Sequence, residues 1–294
     1  MSGTASPTEL RELLELATDL SHEAGALTLR HYGGLVDYDA KGDGSPVTLA
    51  DREAERLIRA KVTERFPDHG VLGEEYGETN PGARVRWIVD PIDATRSFMR
   101  GVPLYGVLIG VEVAGEAMVG VAHFPPLQET LAAAKGLGCT WNGTTSRVSP
   151  VSALEQAVVL TTDVERILSR PEGAGWRRLQ QRCAFSRTWG DCYGHALVAT
   201  GRAEVMVDPL MNPWDAGPFL TIVTEAGGRF TSREGAATIH GGSGISTNGR
   251  HLRLFRRFQR GWIPPLFQEG LKKGLLILQS LLLLLQIRDA VRAA

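Results

Sequence analysis

Cysteine is scarce in this 294-residue sequence, and its placement excludes two kinds of structure. The three cysteines are Cys139, Cys183 and Cys192, and no two of them are separated by only two residues. A disulfide framework needs an even set, and a structural zinc site usually needs closely spaced pairs. The sequence therefore predicts neither, and we expect a reducing compartment, the cytoplasm.

An excess of charge of either sign is also absent. Lys and Arg total 32, Asp and Glu total 33, and the formal net charge is −1. This balance gives no electrostatic reason to expect a nucleic-acid partner or an anionic membrane. A small anionic substrate would instead need cations placed locally at its binding site.

No hydrophobic run reaches the roughly 20 residues that a membrane-spanning helix needs. The most apolar stretch, residues 275–287, is shorter than that and contains three polar residues. The N-terminus carries acidic residues and lacks the apolar core of a signal peptide, so no export signal is expected. We expect residues 253–294 to form an appended, leucine-rich helical tail that packs on the body or on a second subunit. Contact with a membrane surface is the alternative, because FRRFQRGW precedes the leucines.

Hydrophobic periodicity predicts an α/β (α+β) fold with two packed lobes. Residues 1–150 begin with two amphipathic helices and continue with apolar strands, which is typical of an α+β lobe. The second helix begins after Thr48, where Thr48 and Asp51 have the spacing of a capping box. In residues 151–252 strands alternate with helices, which indicates an α/β lobe.

Four acidic residues follow strands or open a helix, where a fold could bring them together. Asp90 and Asp93 end the apolar strand of WIVDPIDATRSF. Glu74 follows a shorter apolar strand, and Asp215 lies in the first turn of an apolar helix. Singly, each has a structural explanation, since Asp-x-x-Asp is usually a solvated turn and an acid in a first turn stabilises the helix dipole. Together, with the Ile92 carbonyl between the two aspartates, they predict a Mg²⁺ site for phosphoryl chemistry.

A proton acceptor for the attacking water is predicted at Asp51, with Thr95 passing the proton to it. The alternative for Asp51 is that it only caps the second helix. Ala94 and Thr95 precede an apparent short helix, so their backbone N–H groups could bind phosphate oxygens. Lys41, in the KGDGS loop, is either a cation for the phosphate or a solvated surface charge.

These motifs resemble those of the inositol monophosphatase family, whose members are Mg²⁺-dependent, lithium-sensitive phosphatases. GEE, WIVDPIDATRSF, NPWDAGP and TEAGG stand in the family's order and approximate spacing, within roughly residues 10–250. The resemblance implies a layered αβαβα sandwich of the type shared with fructose-1,6-bisphosphatase, two or three Mg²⁺ ions and a homodimer. It also implies Asp51 and Thr95 as the catalytic pair. The implied metal ligands are Glu74, Asp90, the Ile92 carbonyl, Asp93 and Asp215.

Within the family, three blocks look most like the histidinol-phosphatase branch. They are DATRSFMRGVPLYGVLIG, RTWGDCYGHALVATGRAEVMVDP and TIHGGSGISTNG. The implied reaction is hydrolysis of histidinol phosphate in histidine biosynthesis, with inositol phosphate or another small monoester as the alternative. The implied substrate-binding residues are Asp93, Ala94, Thr95, Arg187, Gly190, Asp191, Asp208 and Asp215.

Acidic residues beside the leaving group would suit histidinol phosphate, which carries an ammonium group and an imidazole. Asp191 and Asp208 lie where the family arranges its alcohol-binding residues, although Asp191 could simply cap the helix that follows it. His195 is a further pocket candidate, but a lone histidine is more often structural.

Ala94 departs from the family pattern, which reads DPIDGT where this chain reads DPIDAT. If this position has a positive φ, alanine costs stability and weakens catalysis, because glycine adopts that conformation freely and alanine does not. A second class of function follows from this departure. The chain would then be a catalytically impaired homologue that acts as a binding or scaffold protein through its tail.

Overall fold

The computed structural model describes residues 5–34, 36–42, 44–170 and 173–250. Over these residues helices and sheets alternate in an αβαβα sandwich, which is the predicted fold class. The predicted helical tail at 253–294 lies outside the described residues. No helix in the described ranges combines the length and apolar character needed to cross a bilayer.

Two long helices form the first layer. Helix α1 spans Pro7–Leu29, and helix α2 spans Leu49–Arg65. The predicted capping box at the start of α2 is confirmed, because the side chains of Thr48 and Asp51 each accept a hydrogen bond from the other's backbone N–H. Apolar residues spaced along both helices are buried against the first sheet, which fixes this layer. Between the helices lies a small hairpin of β1 (Asp39–Ala40) and β2 (Pro46–Val47).

The first sheet contains eight strands and carries the ends at which the predicted acids lie. They are β3 (Gly70–Gly73), β4 (Gly77–Thr79), β5 (Val85–Asp93), β6 (Gly106–Val113), β7 (Glu116–Phe124), β8 (Glu129–Ala134), β9 (Gly138–Trp141) and β10 (Thr144–Thr145). Their order is β10-β9-β8-β7-β6-β5-β3-β4, and only β3 and β5 run parallel. Parallel strands end at the same edge, so the residue after β3 lies beside the end of β5.

Helices between the sheets form the central layer. They are α6 (Asp191–Ala199), α7 (Pro213–Ala216) and α8 (Phe219–Glu225). The sequence predicts a single apolar helix with Asp215 in its first turn, and the structure has two short helices there instead. The helix is divided at Gly217–Pro218, because Pro218 has no N–H to continue the hydrogen-bond ladder. A further short helix, α3 (Thr95–Phe98), follows β5 directly.

The second sheet and two outer helices complete the sandwich. The strands are β11 (Val158–Thr161), β12 (Phe185–Arg187), β13 (Val205–Asp208), β14 (Arg229–Thr231) and β15 (Gly244–Thr247), in the order β12-β11-β13-β15-β14. Helices α4 (Val164–Leu168) and α5 (Gly173–Gln180) cover its outer face, where Ile167 and Trp176 are fully buried. Strands β12, β11 and β13 are parallel and end at one edge. The division of the chain into separate folding lobes at residue 150 stays a prediction.

Candidate active site

Three of the predicted acidic residues meet where β5 ends. One carboxylate oxygen from each of Asp90, Asp93 and Asp215 lies within 4.8 Å of the others. Residues three apart on a regular strand point to opposite faces, but the pairing of β5 with β6 shifts register between Asp90 and Asp93. This irregularity lets one strand present both carboxylates to the same site. Helix α7, which contacts β5, supplies Asp215 from the central layer.

The crowding of these acids makes their ionised forms unfavourable. Burial, followed by repulsion from Glu74, raises the pKa of Asp90 well above its usual range. Burial and the nearby Asp191 and Asp215 do the same for the pKa of Asp93. Burial is also the main cause that raises the pKa of Asp215 to about 7. A cation would reverse this repulsion, and a site of oxygen donors suits a hard cation. The cluster can therefore hold a metal ion.

Glu74 lies beside the cluster, as the parallel pairing of β3 and β5 requires. Its backbone N–H donates to the Val89 carbonyl at 3.2 Å, and its carboxylate is 2.8 Å from Lys41 Nζ. Lys41 Nζ is also 2.7 Å from Glu75, and only 21% of the Lys41 side chain is exposed. Burial lowers the pKa of Lys41, but its hydrogen bonds to both glutamates outweigh this effect and raise it. Lys41 is thus a counter-ion of two glutamates and not the solvated charge considered from the sequence.

Asp51 has one carboxylate oxygen engaged and one unpartnered. Its Oδ2 accepts hydrogen bonds from the Thr48 N–H at 2.8 Å and from the Thr48 hydroxyl. Its Oδ1 is buried and has no hydrogen-bond partner among the described residues. Burial raises the pKa of Asp51 to about 6. A buried oxygen of this kind normally has a partner, so Oδ1 is available to a water or a reacting group.

Thr95 and Ile92 form a short turn after the cluster. The Thr95 hydroxyl donates to the Ile92 carbonyl at 3.1 Å, and the Ile92 N–H donates to Asp90 Oδ1 at 3.0 Å. The Ile92 side chain is fully buried, which anchors the turn. The structure gives no hydrogen bond between Thr95 and Asp51, so the relay between them stays a prediction.

Ala94 adopts the left-handed, positive-φ conformation in which alanine is less favourable than glycine. Its φ is 69° and its ψ is 48°. This conformation costs an L-residue about 1–2 kcal/mol. The methyl group packs against the small apolar cluster that contains Ile92, Phe98 and Tyr105. The backbone is strained, but the methyl is partly buried in an apolar environment.

Helix α6 begins beside the cluster of Asp90, Asp93 and Asp215. Its second residue, Cys192, donates its N–H to Asp93 Oδ2 at 2.6 Å. The first residue, Asp191, has a φ of 50°. Asp191 is a cause of the raised pKa of Asp93, which agrees with their closeness. The structure thus brings Asp191 beside the three clustered acids.

Asp208, at the end of β13, reaches the same region through a residue that sequence reasoning missed. Thr162, which follows β11, donates its hydroxyl to Asp208 Oδ2 at 2.7 Å and accepts the Asp191 N–H at 2.9 Å. Burial raises the pKa of Asp208 to about 7. Gly190 packs so closely here that a Cβ would lie 2.2 Å from the Thr162 Cα. A single threonine after a strand carries no motif, so no local signal could have identified Thr162.

Two other candidates lie apart from the acids. The Arg187 guanidinium lies 5.0 Å from the centre of the Phe185 ring and donates to the Ser186 carbonyl, and none of its recorded contacts is with the acidic cluster. His195 is fully buried, and its Nδ1 is 2.7 Å from the Ser246 hydroxyl. Burial lowers the pKa of His195 to about 3. His195 is therefore a structural residue of the core and does not line the pocket considered for it from the sequence.

Comparison with known proteins agrees with this geometry. Residues 9–259 match the model of the inositol monophosphatase family. A histidinol-phosphatase of Chlorobaculum parvum is 45% identical over 244 residues, which cover 81% of this chain and 94% of that protein. A histidinol-phosphatase of Mycobacterium tuberculosis is 37% identical over 259 residues, which cover 84% of this chain and 98% of that protein.

Among solved structures, the extragenic suppressor protein suhB from Bartonella henselae matches with a TM-score of 0.79 and 28% identity. The match covers 85% of this chain and the whole of that one. The family match spans the described acids and the two sheets that position them. The chain belongs to the inositol monophosphatase family.

Proposed function

We propose that this phosphoric monoester hydrolase is a Mg²⁺-dependent histidinol-phosphatase, which converts histidinol phosphate to histidinol and phosphate. The observation that carries the substrate assignment is the position of Asp191 and Asp208, two acids held beside the metal cluster by one threonine. The two relatives named histidinol-phosphatase support it. The proposal includes a homodimer and a cytoplasmic role in histidine biosynthesis, in keeping with the family resemblance.

The metal-binding role falls to residues at the ends of β3 and β5 and in α7. When bound, Mg²⁺ would neutralise charge on the phosphate and on the departing oxygen and make the attacking water more acidic. The oxygen-only donor set and the raised pKa values of the acids support a hard divalent cation. The proposed ligands of two or three ions are Glu74, Asp90, the Ile92 carbonyl, Asp93 and Asp215.

Asp51 and Thr95 are proposed to handle the proton of the attacking water. Asp51 Oδ1 has no partner in the described chain, so it can accept a proton passed through the Thr95 hydroxyl. The backbone N–H groups of Ala94 and Thr95, at the start of α3, have no acceptor within that helix and are proposed to bind phosphate oxygens. The water would then attack phosphorus opposite the histidinol oxygen and the P–O bond to histidinol would break. The histidinol oxygen would take a proton from solvent, and Asp51 would return to solvent the proton it accepted from the water.

The two candidate substrates differ in the charge of the alcohol that is released. Histidinol carries an ammonium group, which can donate hydrogen bonds to the carboxylates of Asp191 and Asp208. Inositol offers only neutral hydroxyls, so two buried carboxylates would keep their desolvation penalty without gaining a cation. Gly190, which packs against Thr162, completes the proposed substrate-binding set, and Arg187 is kept in it on the family resemblance alone.

Steady-state phosphate release at saturating Mg²⁺ tests this function. We expect kcat/KM for histidinol phosphate to exceed that for inositol 1-phosphate by at least about tenfold, the effect of one charged hydrogen bond.

Asp93→Asn should lower phosphate release from either ester by about 100-fold or more, because it removes a charged ligand. Asp19→Asn, on the exposed face of α1, is the matched control and should behave as wild type. Equal activity of wild type and Asp93→Asn would overturn the metal site.

A further inference from the structure

Thr162 lies at the junction of three elements that build the alcohol side of the site. It follows β11 directly, and its hydroxyl is shared between Asp208, at the end of β13, and the first N–H of α6. A hydroxyl has one hydrogen to donate and lone pairs to accept. The donation at 2.7 Å to Asp208 and the acceptance at 2.9 Å from Asp191 therefore use both functions of one oxygen at once.

The N-terminus of α6 is held from two sides. The Asp191 N–H is bound by Thr162 of the second sheet, and the next N–H, that of Cys192, is bound by Asp93 of the first sheet. Asp191 lies between these two bonds with a φ of 50°, a left-handed conformation that aspartate adopts more readily than most residues but still less easily than glycine. The two hydrogen bonds thus supply the constraint that directs the Asp191 side chain.

The fit around Thr162 leaves little room for adjustment. Besides the 2.2 Å approach to the Thr162 Cα, a Cβ on Gly190 would lie 2.7 Å from the Thr162 hydroxyl oxygen. Asp208 is only 7% exposed, and its other oxygen accepts a weak contact from the Leu210 N–H at 3.4 Å. Thr162 is therefore the main hydrogen-bond donor to Asp208 among the described residues.

We infer that Thr162 is a positioning residue for substrate specificity. Its hydroxyl fixes the Asp208 carboxylate and the backbone of Asp191 in one arrangement, so that both acids face the ammonium-bearing alcohol of the substrate. This inference rests on the proposed function, because it assigns Thr162 a role on the alcohol side of that site. Among the described residues, the hydrogen bonds of the Thr162 hydroxyl are to Asp208 and from the Asp191 N–H, and neither of these is a proposed metal ligand.

Kinetics of three variants test the inference. Thr162→Val keeps the branched shape and removes the hydroxyl, whereas Thr162→Ser keeps the hydroxyl. Thr161→Val is the matched control, since Thr161 is fully buried and its hydroxyl has no partner in the described structure. Each protein is assayed with Mg²⁺ on histidinol phosphate and on p-nitrophenyl phosphate, which has no ammonium group.

We expect Thr162→Val to raise KM for histidinol phosphate by about tenfold, with a smaller change in kcat, because a hydrogen bond to a charged group is lost. Its KM for p-nitrophenyl phosphate should change less, Thr162→Ser should restore most of the loss, and Thr161→Val should resemble wild type. An equal change of KM for both esters, or a failure of serine to restore it, would overturn the positioning role. A wild-type protein that hydrolyses only p-nitrophenyl phosphate would instead overturn the proposed function, and this inference with it.

Discussion

Ala94 is the residue at which the sequence departs most clearly from its family, and the structure separates two effects of that change. The left-handed backbone costs alanine about 1–2 kcal/mol relative to a right-handed conformation. The partly buried methyl recovers less than about 0.8 kcal/mol of that, the value for a fully buried CH2 group. Glycine would remove the strain but would lose this contact and more chain entropy on folding. The opposing effects leave Ala94 tolerable.

Ala94→Gly should therefore change the free energy of unfolding by less than about 1 kcal/mol. Because the methyl packs into an apolar cluster and not among the acids, we expect kcat to rise by less than about tenfold. Urea unfolding and phosphate release from the same preparation measure the two quantities. A gain in kcat above about 100-fold would favour the alternative that the natural chain is an impaired homologue used as a scaffold.

At the same scale, the acids were predictable from the sequence, and their bonding partners were not. Asp90, Asp93 and Asp215 stand in motifs whose strand-end and helix-start positions imply convergence, and the structure brings them together. Thr162 has no such motif, because its importance comes from the packing of three elements distant in sequence. The ion pairs of Lys41 were missed for the same reason.

At the scale of elements, two glycines explain how Asp215 reaches the strand that carries the other acids. Gly110 on β6 pairs with Gly120 on β7. A Cβ on Gly110 would lie 2.7 Å from the Gly217 carbonyl carbon, and one on Gly120 would lie 2.1 Å from the Pro218 carbonyl oxygen. The joint between α7 and α8 therefore rests directly on the sheet, and this close approach seats α7 against β5.

Gly120→Ala should displace that joint, because the added methyl meets backbone atoms that cannot move aside. We expect a loss of about 1–3 kcal/mol in the free energy of unfolding, together with a weaker apparent affinity for Mg²⁺. Urea unfolding and a Mg²⁺ titration of activity provide the measurements. Gly34→Ala is the control, since nothing lies within 4 Å of its Cβ position. Equal effects of the two substitutions would show that the joint does not depend on the glycine.

Long, periodic elements were the predictable part of the fold. Helices α1 and α2 follow from apolar residues at helical spacing, and the start of α2 follows from its capping box. The division between α7 and α8 was missed, although Pro218 marks it. Strands β14 and β15 were not predicted, because they are short and because β15 joins the sheet by pairing with β13, which lies far from it in sequence.

The net charge of the whole molecule is near zero, but negatively charged side chains are concentrated at one site. The first sheet supplies Asp90 and Asp93, and elements of the second half supply Asp191, Asp208 and Asp215. Folding therefore gathers like charges from distant parts of the chain into a desolvated site. This arrangement is unfavourable without a cation, so metal binding and folding stability should be coupled.

The metal-free protein should lose stability as the pH rises from about 4 to about 7. In this range the folded state keeps protons that the unfolded state has released, because the pKa values of Asp208 and Asp215 are raised to about 7 and that of Asp51 to about 6. Above about pH 7 these groups are ionised in both states, and their contribution levels off.

Thermal unfolding with and without Mg²⁺ measures this coupling. Mg²⁺ competes with protons for the acids, so it should raise Tm more at about pH 8 than at about pH 5. The Asp93→Asn variant should show a smaller rise at either pH. A Mg²⁺ effect on Tm that is the same at both pH values in the wild type would argue against ligation by these carboxylates.

The most direct measurement of the central claim is the ratio of kcat/KM for histidinol phosphate to kcat/KM for inositol 1-phosphate, determined on the wild-type protein at saturating Mg²⁺. The proposed role of Asp191 and Asp208 on the alcohol side of the site predicts a ratio of at least about ten. A ratio of one or less, with full Mg²⁺-dependent activity on inositol 1-phosphate, would contradict the assignment of Asp191 and Asp208 to an ammonium-bearing substrate.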